Sequence, residues 1–541
     1  MGDFNFADAW ETIAGAIPDR AAQRHDGRTQ TWAEFDRRAA ALAADLQDAG
    51  LGHQAKVAAY LYNGPEYLES YYAAWKVAAV PVNTNYRYGP EEVAYLMGNA
   101  DAEAVVFDTS FTSVVEAVRD RLPLVKRWYA VGPDVPGWAV AYEEVVGSGA
   151  TPAPVERSGD DLLLLYTGGT TGMPKGVMWR QDDLWGVLGG GGSPFVGTGP
   201  VEGYDELRQR VAASDEAAQV RMFPACPLMH GTGQFSAFIA LSLGGMVVTD
   251  SGLARHFDPE RLWQLAADER IVQLTIVGDA FARPMLAALD ANPGRWELGS
   301  LMLINSSGVM WSQEVKDGLA KHLPTTFFFD SLGSSEAVGL GASVAGAGAK
   351  AATASFQLGA GARVVGPDDR DVTPGSGEQG LIALPGHIPL GYYKDEAKTA
   401  ATFRTIDGTR YTLPGDWATV DADGGIHLLG RGSVVINTGG EKVFPEEVEE
   451  AVKRFGGVAD AVAVGVPDER FGEVICALVE PETPGATIDR DALVEHVRSS
   501  LARYKAPRLV FTVDSINRSP SGKVDYKALK ALAVERAATD A

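Results

Sequence analysis

The stretch LLLLYTGGTTGMPKG at 162–176 restricts this chain more than any other feature. Its apolar run, Leu162 to Tyr166, has the length and composition of a buried strand. The run passes into Thr167, Gly168, Gly169, Thr170, Thr171 and Gly172, and then reaches Lys175. Glycines let successive backbone N–H groups converge on one point, threonine hydroxyls add donors, and a lysine adds a point charge. The stretch therefore reads as a cradle for phosphate oxygens. A solvated turn is the bland alternative for a glycine-rich stretch, but a strand on one side and Pro-Lys-Gly on the other favour the cradle. It is not a Walker A loop, which needs GxxxxGK[ST], because Pro174 precedes Lys175 and Gly176 follows it. An ordinary P-loop ATPase or kinase is thereby disfavoured.

The surroundings of the cradle read as an α/β fold. VAAYLYN at 57–63 has the character of a buried strand, PEYLESYYAAWKVA follows with helical spacing, and AVPVNTN returns to strand. The same strand–helix–strand order recurs around 104–130 and 245–279, which predicts parallel-rich sheets covered by helices. Trp32 to Ala49 has helical spacing and stops at Gly50, a natural residue just past a helix end. After GRGSVVINTGGEKVFP the pattern changes to helix, strand, strand, helix, a small α+β unit. The expected organisation is a large N-terminal domain over residues 1–430, a hinge at 431–436 and a small, mobile C-terminal domain over 437–541. A glycine-rich turn at Gly430–Val434 marks the boundary.

Length and charge narrow the partners. At 541 residues the chain exceeds what one core needs. A net charge of −24 repels nucleic acid and anionic membrane, so any anionic ligand must be held by local donors. Cys226 and Cys476 are the only two cysteines, which excludes a disulfide framework and fits a reducing cytoplasm. The eight histidines form neither HExxH nor a His/Cys cluster. MGDFNFADAW has no signal-peptide character, and no apolar run approaches the roughly 18 residues of a membrane span. The expectation is a cytoplasmic protein without an integral membrane segment.

Further segments carry a resemblance. PLMHGTGQ (227–234), NSSGVM (305–310), LGSSE (332–336), GYYKDEAKTAATF (391–403), PGD (414–416), GRGSVVINTGGEKVFPEEVE (430–449) and RSPSGK (518–523) follow the glycine-rich stretch in that order. Together they resemble the adenylate-forming family of acyl- and aryl-CoA synthetases, luciferase and peptide-synthetase adenylation domains. The resemblance spans nearly the whole chain. It implies an ATP-dependent ligase that converts a carboxylic acid to acyl-AMP and pyrophosphate, then joins the acyl group to coenzyme A and releases AMP. It also implies ATP, Mg²⁺ and CoA as cofactors and small-molecule partners, and allows a homodimer.

Roles are carried over residue by residue. Thr167, Gly168, Gly169, Thr170, Thr171, Gly172 and Lys175 would hold phosphate, and Gly308 would border the adenine. Ser335 would contact the α-phosphate, with Ser334 beside it in the nucleotide-binding segment. Asp416 and Arg431 would bind ribose, and Glu336 with Thr167 would hold Mg²⁺, a hard cation suited to oxygen ligands. Lys523 would supply the cation needed where a carboxylate attacks an anionic α-phosphate. His230, Gly278, Asp279 and Ala280 would line the acyl pocket. Gly439 and Gly440 would leave a path for the pantetheine arm, and the small domain would rotate about Arg431–Val434 between half-reactions. A solvated lysine or acid, and a packed core histidine, are the bland readings of Lys523, Asp416, Glu336 and His230.

Three departures stand out. Leu332 occupies the place of a tyrosine that stacks on adenine, Ser433 and Val434 replace charged hinge residues, and Glu396 replaces a proline. Only 18 residues follow Lys523, and PLMHGTGQ has His where amino-acid-activating members carry Asp. Both points favour CoA over a carrier domain as acceptor. Met178-Trp179-Arg180, LGSSE and GRGSVVIN resemble actinobacterial ligases for fatty or steroid side-chain acids. A stand-alone adenylating enzyme that serves a carrier or amine, and a non-catalytic nucleotide sensor, are the alternatives.

Overall fold

The computed structural model describes residues 3–167, 173–308, 311, 313–346, 355–431, 436–443, 445–517 and 526–540. They form two compact units. The first comprises Met1–Tyr86, Met97–Tyr166 and Gly176–Gly430, and the second Arg87–Leu96, Thr167–Lys175 and Arg431–Ala541. Two short segments that lie within residues 1–430 of the sequence are therefore grouped with the second unit.

The first unit holds two sheets. In the eight-stranded sheet, Leu162–Thr167, Val80–Asn83, Lys56–Tyr60, Ala102–Asp108, Arg127–Val131 and Val140–Ala141 are parallel neighbours in that order. Strand Lys175–Arg180 carries an antiparallel edge at Gly391–Tyr392. In the fifteen-stranded sheet, Ala21–His25, Met246–Thr249, Arg221–Pro224, Gln273–Ile276, Leu303–Ser307 and Phe327–Ser334 run parallel. From there on the described pairings are antiparallel, so this sheet is mixed, within a unit whose other strands mostly keep the expected parallel order. Only Ser335 and Glu336 connect Phe327–Ser334 to Ala337–Gly346. A parallel crossover needs a dozen residues or so, whereas two suffice for a hairpin.

Local signals explain the helices. Thr31 caps Trp32–Asp48, its Oγ1 accepting from the Glu34 N–H at 3.1 Å. At the far end Gly50 is left-handed (φ 68°) and donates to Gln47 O at 2.8 Å, while Leu51 donates to Leu46 O at 2.9 Å. This is the paired closure that glycine at that position permits. Helix Pro65–Lys76 is buried on nearly every side, so its charged residues need partners. Glu69, wholly inaccessible, accepts from Arg38 (2.7 and 3.1 Å), Gln30 (2.6 Å) and Tyr142 (2.7 Å). Burial by itself disfavours the Arg38 charge, but bonds to Glu143 and the charge of Glu69 outweigh that and raise its pKa. Phe6, Trp10, Phe35 and Phe238 pack against Tyr72 and Trp75 of this helix, with Phe6 stacked on Trp75 at 4.8 Å.

The second unit contains a five-stranded sheet. Its strands Val458–Asp468 and Gly472–Pro481 are apolar on both faces, and the alternation sorts them into two cores. Ala461, Ala463, Ile475, Ala477 and Val479 pack with Val448, Val452, Leu493 and Val497. Val462, Val464, Val474, Cys476 and Leu478 pack with Phe511, Leu529 and Ala533. The helix Tyr526–Asp540 supplies that second cover, which the helix–strand–strand–helix reading left out. Gly430 and Arg431 end the strand Ile426–Arg431 rather than opening a turn, and the remainder of the expected hinge, 432–435, lies outside the described residues.

Both cysteines are inaccessible, and burial pushes each thiol up to about 12. Because the thiolate is the reactive form, a disulfide reporter at pH 8 should titrate neither in the native protein and both once it is unfolded. Native labelling of either would contradict the packing. Among the described residues no helix is long and apolar enough to cross a membrane.

Candidate active site

Four adjacent parallel strands deliver the central residues. Arg221–Pro224 leads to His230, Gln273–Ile276 to Gly278, Leu303–Ser307 to Gly308, and Phe327–Ser334 to Ser335 and Glu336. All leave from carboxyl ends of the strands, where ligands of open α/β sheets bind. The loops converge physically. Gly278 donates its N–H to the buried Ser306 Oγ at 2.9 Å, and a Cβ on Gly308 would stand 3.9 Å from both Thr232 and Val277. Gly308 is left-handed (φ 93°), a conformation that glycine adopts without cost.

His230 takes the N-cap position of helix Gly231–Ser242 in extended conformation, without a side-chain cap bond. Its segment is tied down by two asparagines, Asn63 in the loop after strand Lys56–Tyr60 and Asn83 at the end of strand Val80–Asn83. Asn63 Nδ2 donates to Pro224 O (3.2 Å) and Cys226 O (3.0 Å), and its Oδ1 accepts from the Leu228 N–H (2.7 Å). Asn83 Nδ2 donates to Met229 O (2.7 Å) and Tyr166 O (2.9 Å), and its Oδ1 accepts from the Tyr166 N–H (2.6 Å). Gly233 is required here, because a Cβ would meet Pro227 O at 2.5 Å.

Glu336 sits in the hairpin turn, 9% exposed. Its Oε1 accepts from the Tyr392 hydroxyl at 2.7 Å, and its N–H donates to Ser334 Oγ at 3.3 Å. The indole N–H of buried Trp179 donates to Ser335 O at 3.0 Å, which fixes the turn from the neighbouring sheet. Asp416 is buried at the head of strand Asp416–Val420, following left-handed Gly415 (φ 103°).

Other expected residues fall differently. Thr167 ends its strand rather than opening the loop, and Lys175 begins the next. Gly168, Gly169, Thr170, Thr171, Gly172 and Lys523 lie outside the described residues, and Arg431 is described as the last residue of its strand only. Gly278, Asp279 and Ala280 form the first turn of helix Gly278–Ala291, and Asp279 pairs with Arg283 at 3.1 Å along that helix. Leu332 is buried in the main core of the first unit, with 8% exposed. Gly439 and Gly440 (φ 60° and 85°) join Ile436–Thr438 to Glu441–Val443, with Thr438 opposite Glu441. A two-residue turn with both residues left-handed demands glycine on its own account.

Asn63, Asn83, Tyr392 and Trp179 were not among the expected site residues. The only signal for Asn83 was a polar residue ending an apolar strand. Tyr392 and Trp179 lie within GYYKDEAKTAATF and Met178-Trp179-Arg180, where the resemblance implies no role for them.

Residues 10–393 match the AMP-binding enzyme family, and residues 447–523 match the AMP-binding enzyme C-terminal domain. The chain is 41% identical to 3-oxocholest-4-en-26-oate–CoA ligase of Rhodococcus rhodochrous, over 97% of this chain and 95% of that one. It is 39% identical to a medium/long-chain-fatty-acid–CoA/3-oxocholest-4-en-26-oate–CoA ligase of Mycobacterium tuberculosis, over 99% and 97%. The fold is similar to that of the amide bond synthetase McbA from Marinactinospora thermotolerans, with TM-score 0.78 and 21% identity, covering 97% of this chain and 99% of that chain. Sequence and fold thus agree along almost the full length of the chain, which belongs to the AMP-binding enzyme family.

Proposed function

We propose that this chain is an ATP-dependent acyl-CoA ligase acting on fatty, branched or steroid side-chain acids. The observation that carries the reading is the delivery of His230, Gly278, Gly308 and Glu336 from the carboxyl ends of four adjacent parallel strands. The relatives named for steroid and fatty acids support the substrate class. In the first half-reaction a carboxylate oxygen attacks the α-phosphorus of ATP and pyrophosphate leaves. In the second the CoA sulfur attacks the acyl carbonyl and AMP leaves.

Thr167, the 168–172 loop and Lys175 hold phosphate, Ser335 meets the α-phosphate, Ser334 and Gly308 border the nucleotide, and Asp416 with Arg431 holds ribose. His230, Gly278, Asp279 and Ala280 border the acid. Lys523 serves the first half-reaction and Gly439–Gly440 the second. The domain boundaries are those read from the sequence, 1–430, 431–436 and 437–541, and the two buried thiols suit a cytoplasmic enzyme. A homodimer is compatible with this assignment.

The donors present suit Mg²⁺. The Glu336 carboxylate is an acceptor-only oxygen ligand, oriented by Tyr392. Among the described residues no group of three His, Cys, Asp or Glu could hold a metal ion by itself. A Mg²⁺ would be held by Glu336, with Thr167 as the second ligand the family resemblance implies, and otherwise by nucleotide phosphates and water, as this ion prefers. When bound it neutralises phosphate charge.

Pyrophosphate release should be followed over acetate, medium- and long-chain, aromatic and steroid side-chain acids, with and without CoA. The expected result is ATP-dependent release with the long-chain or steroid acids and acyl-CoA only when CoA is present. ATP binding without release on any acid would sink the enzyme reading, and transfer to amines but not CoA would replace it with the other acceptor class.

A further inference from the structure

We infer that Asn83 is a positioning residue that ties Tyr166, on the strand that leads toward the phosphate loop, to Met229, at the start of the acid-binding turn, and so sets the approach of the acid to ATP. The inference rests on the ligase reading of those two segments. Backbone pairing between strands Val80–Asn83 and Leu162–Thr167 is recorded at Val82 and Leu164. Beyond it, the Asn83 side chain takes over. Its amide pairs with both the N–H and the C=O of Tyr166, as a further rung of the ladder would. The second Nδ2 hydrogen reaches Met229 O, one residue before His230.

Three protein bonds use both Nδ2 hydrogens and one Oδ1 lone pair, and at 2% exposure the residue has little water to replace them. Tyr166 is the last residue of the first unit before Thr167 and the glycine-rich loop. One side chain therefore spaces the residue that launches the phosphate loop and the residue that launches the His230 turn. Asn63 makes the contrast: its three bonds all go to 224–228, within the acid-side segment alone. A shift of about 1 Å between two reacting groups costs roughly 10²-fold in rate. That cost falls on a step joining two separate substrates and far less on one whose acid and phosphate are already joined.

The test compares wild type with Asn83→Asp, Asn83→Ala and Asn63→Asp. Aspartate keeps the size and the acceptor for the Tyr166 N–H but turns an acceptor toward two carbonyls. Alanine removes the contacts without burying a charge, and decides the matter if the aspartate variant does not fold. Four readouts are needed: ATP binding without acid, KM for ATP and for acid in pyrophosphate release, CoA thioester formation from supplied acyl-adenylate, and Tm. Both Asn83 variants should lose about 10²-fold in kcat/KM of adenylation, with KM raised for ATP and acid together. Thioester formation from the supplied adenylate should fall much less, and Asn63→Asp should raise KM for the acid alone. A lower Tm with both KM values unchanged in the folded fraction, or equal losses in both half-reactions, would make Asn83 a structural residue only and overturn the inference. Wild type that binds ATP yet releases no pyrophosphate is a different outcome, since it removes the ligase reading itself and the inference with it.

Discussion

Arg38→Met should destabilise the large unit by about 3–5 kcal/mol, read as a shift of its unfolding transition to lower denaturant. The guanidinium makes two bonds to Glu69, which is fully inaccessible, and two to Glu143, whose side chain is 63% exposed. Removing it leaves Glu69 with the neutral donors of Gln30 and Tyr142 and no opposing charge. The Glu143 bonds contribute little, because an exposed pair is solvated and screened. Adding Glu69→Leu to Arg38→Met should recover a large part of the loss, since an apolar pair of similar volume often matches a buried ion pair. A double variant no more stable than the single one would show that the cost is lost packing rather than an uncompensated charge.

Lys523→Ala should lower the adenylation rate by roughly 10²–10³, while thioester formation from supplied acyl-adenylate stays near wild type. The acid and the α-phosphate are both anions, and the chain carries a net charge of −24. Buried Glu336 and Asp416 add further negative charge at the carboxyl edge and strand head already described. Charge accumulating on the α-phosphate therefore needs a cation aimed at it, the role proposed for Lys523 of RSPSGK. Rapid-quench measurement of acyl-AMP in the absence of CoA isolates the step. An equal loss in both half-reactions would assign Lys523 to the fold or to nucleotide affinity instead.

What the chain announces in advance is local. Thr31 with Glu34, the apolar spacing to Ala49 and Gly50 specify one helix and both its ends, and the structure has them. The run before Thr167 and the strand–helix–strand repeats likewise depend on neighbours in sequence. The antiparallel half of the large sheet does not announce itself, because period-2 strands of either direction look alike until a partner is assigned. Leu332 presents similarly: its letter is a substitution in a motif, while its environment is the core. Asn63 and Asn83 are illegible for a stricter reason. Their partners are backbone atoms more than 80 residues away, which leave no mark on side-chain pattern. The loops that end the strands follow from the sequence pattern, and the side-chain braces that hold them do not.

The Gly439–Gly440 turn carries a mechanical consequence. A tight two-residue hairpin is among the stiffest ways to join strands, and Gly439 is further pinned by its bond to Phe471 O at 2.9 Å. The strands on either side, Ile436–Thr438 and Glu441–Val443, therefore move as one prong rather than as a flap. A flap adapts its tip to whatever it meets, whereas a prong keeps its tip and has to be aimed from its base. For the thiol path proposed at this edge, any adjustment is then a property of the strand pair as a body, and loosening the turn would blunt the edge instead of opening it.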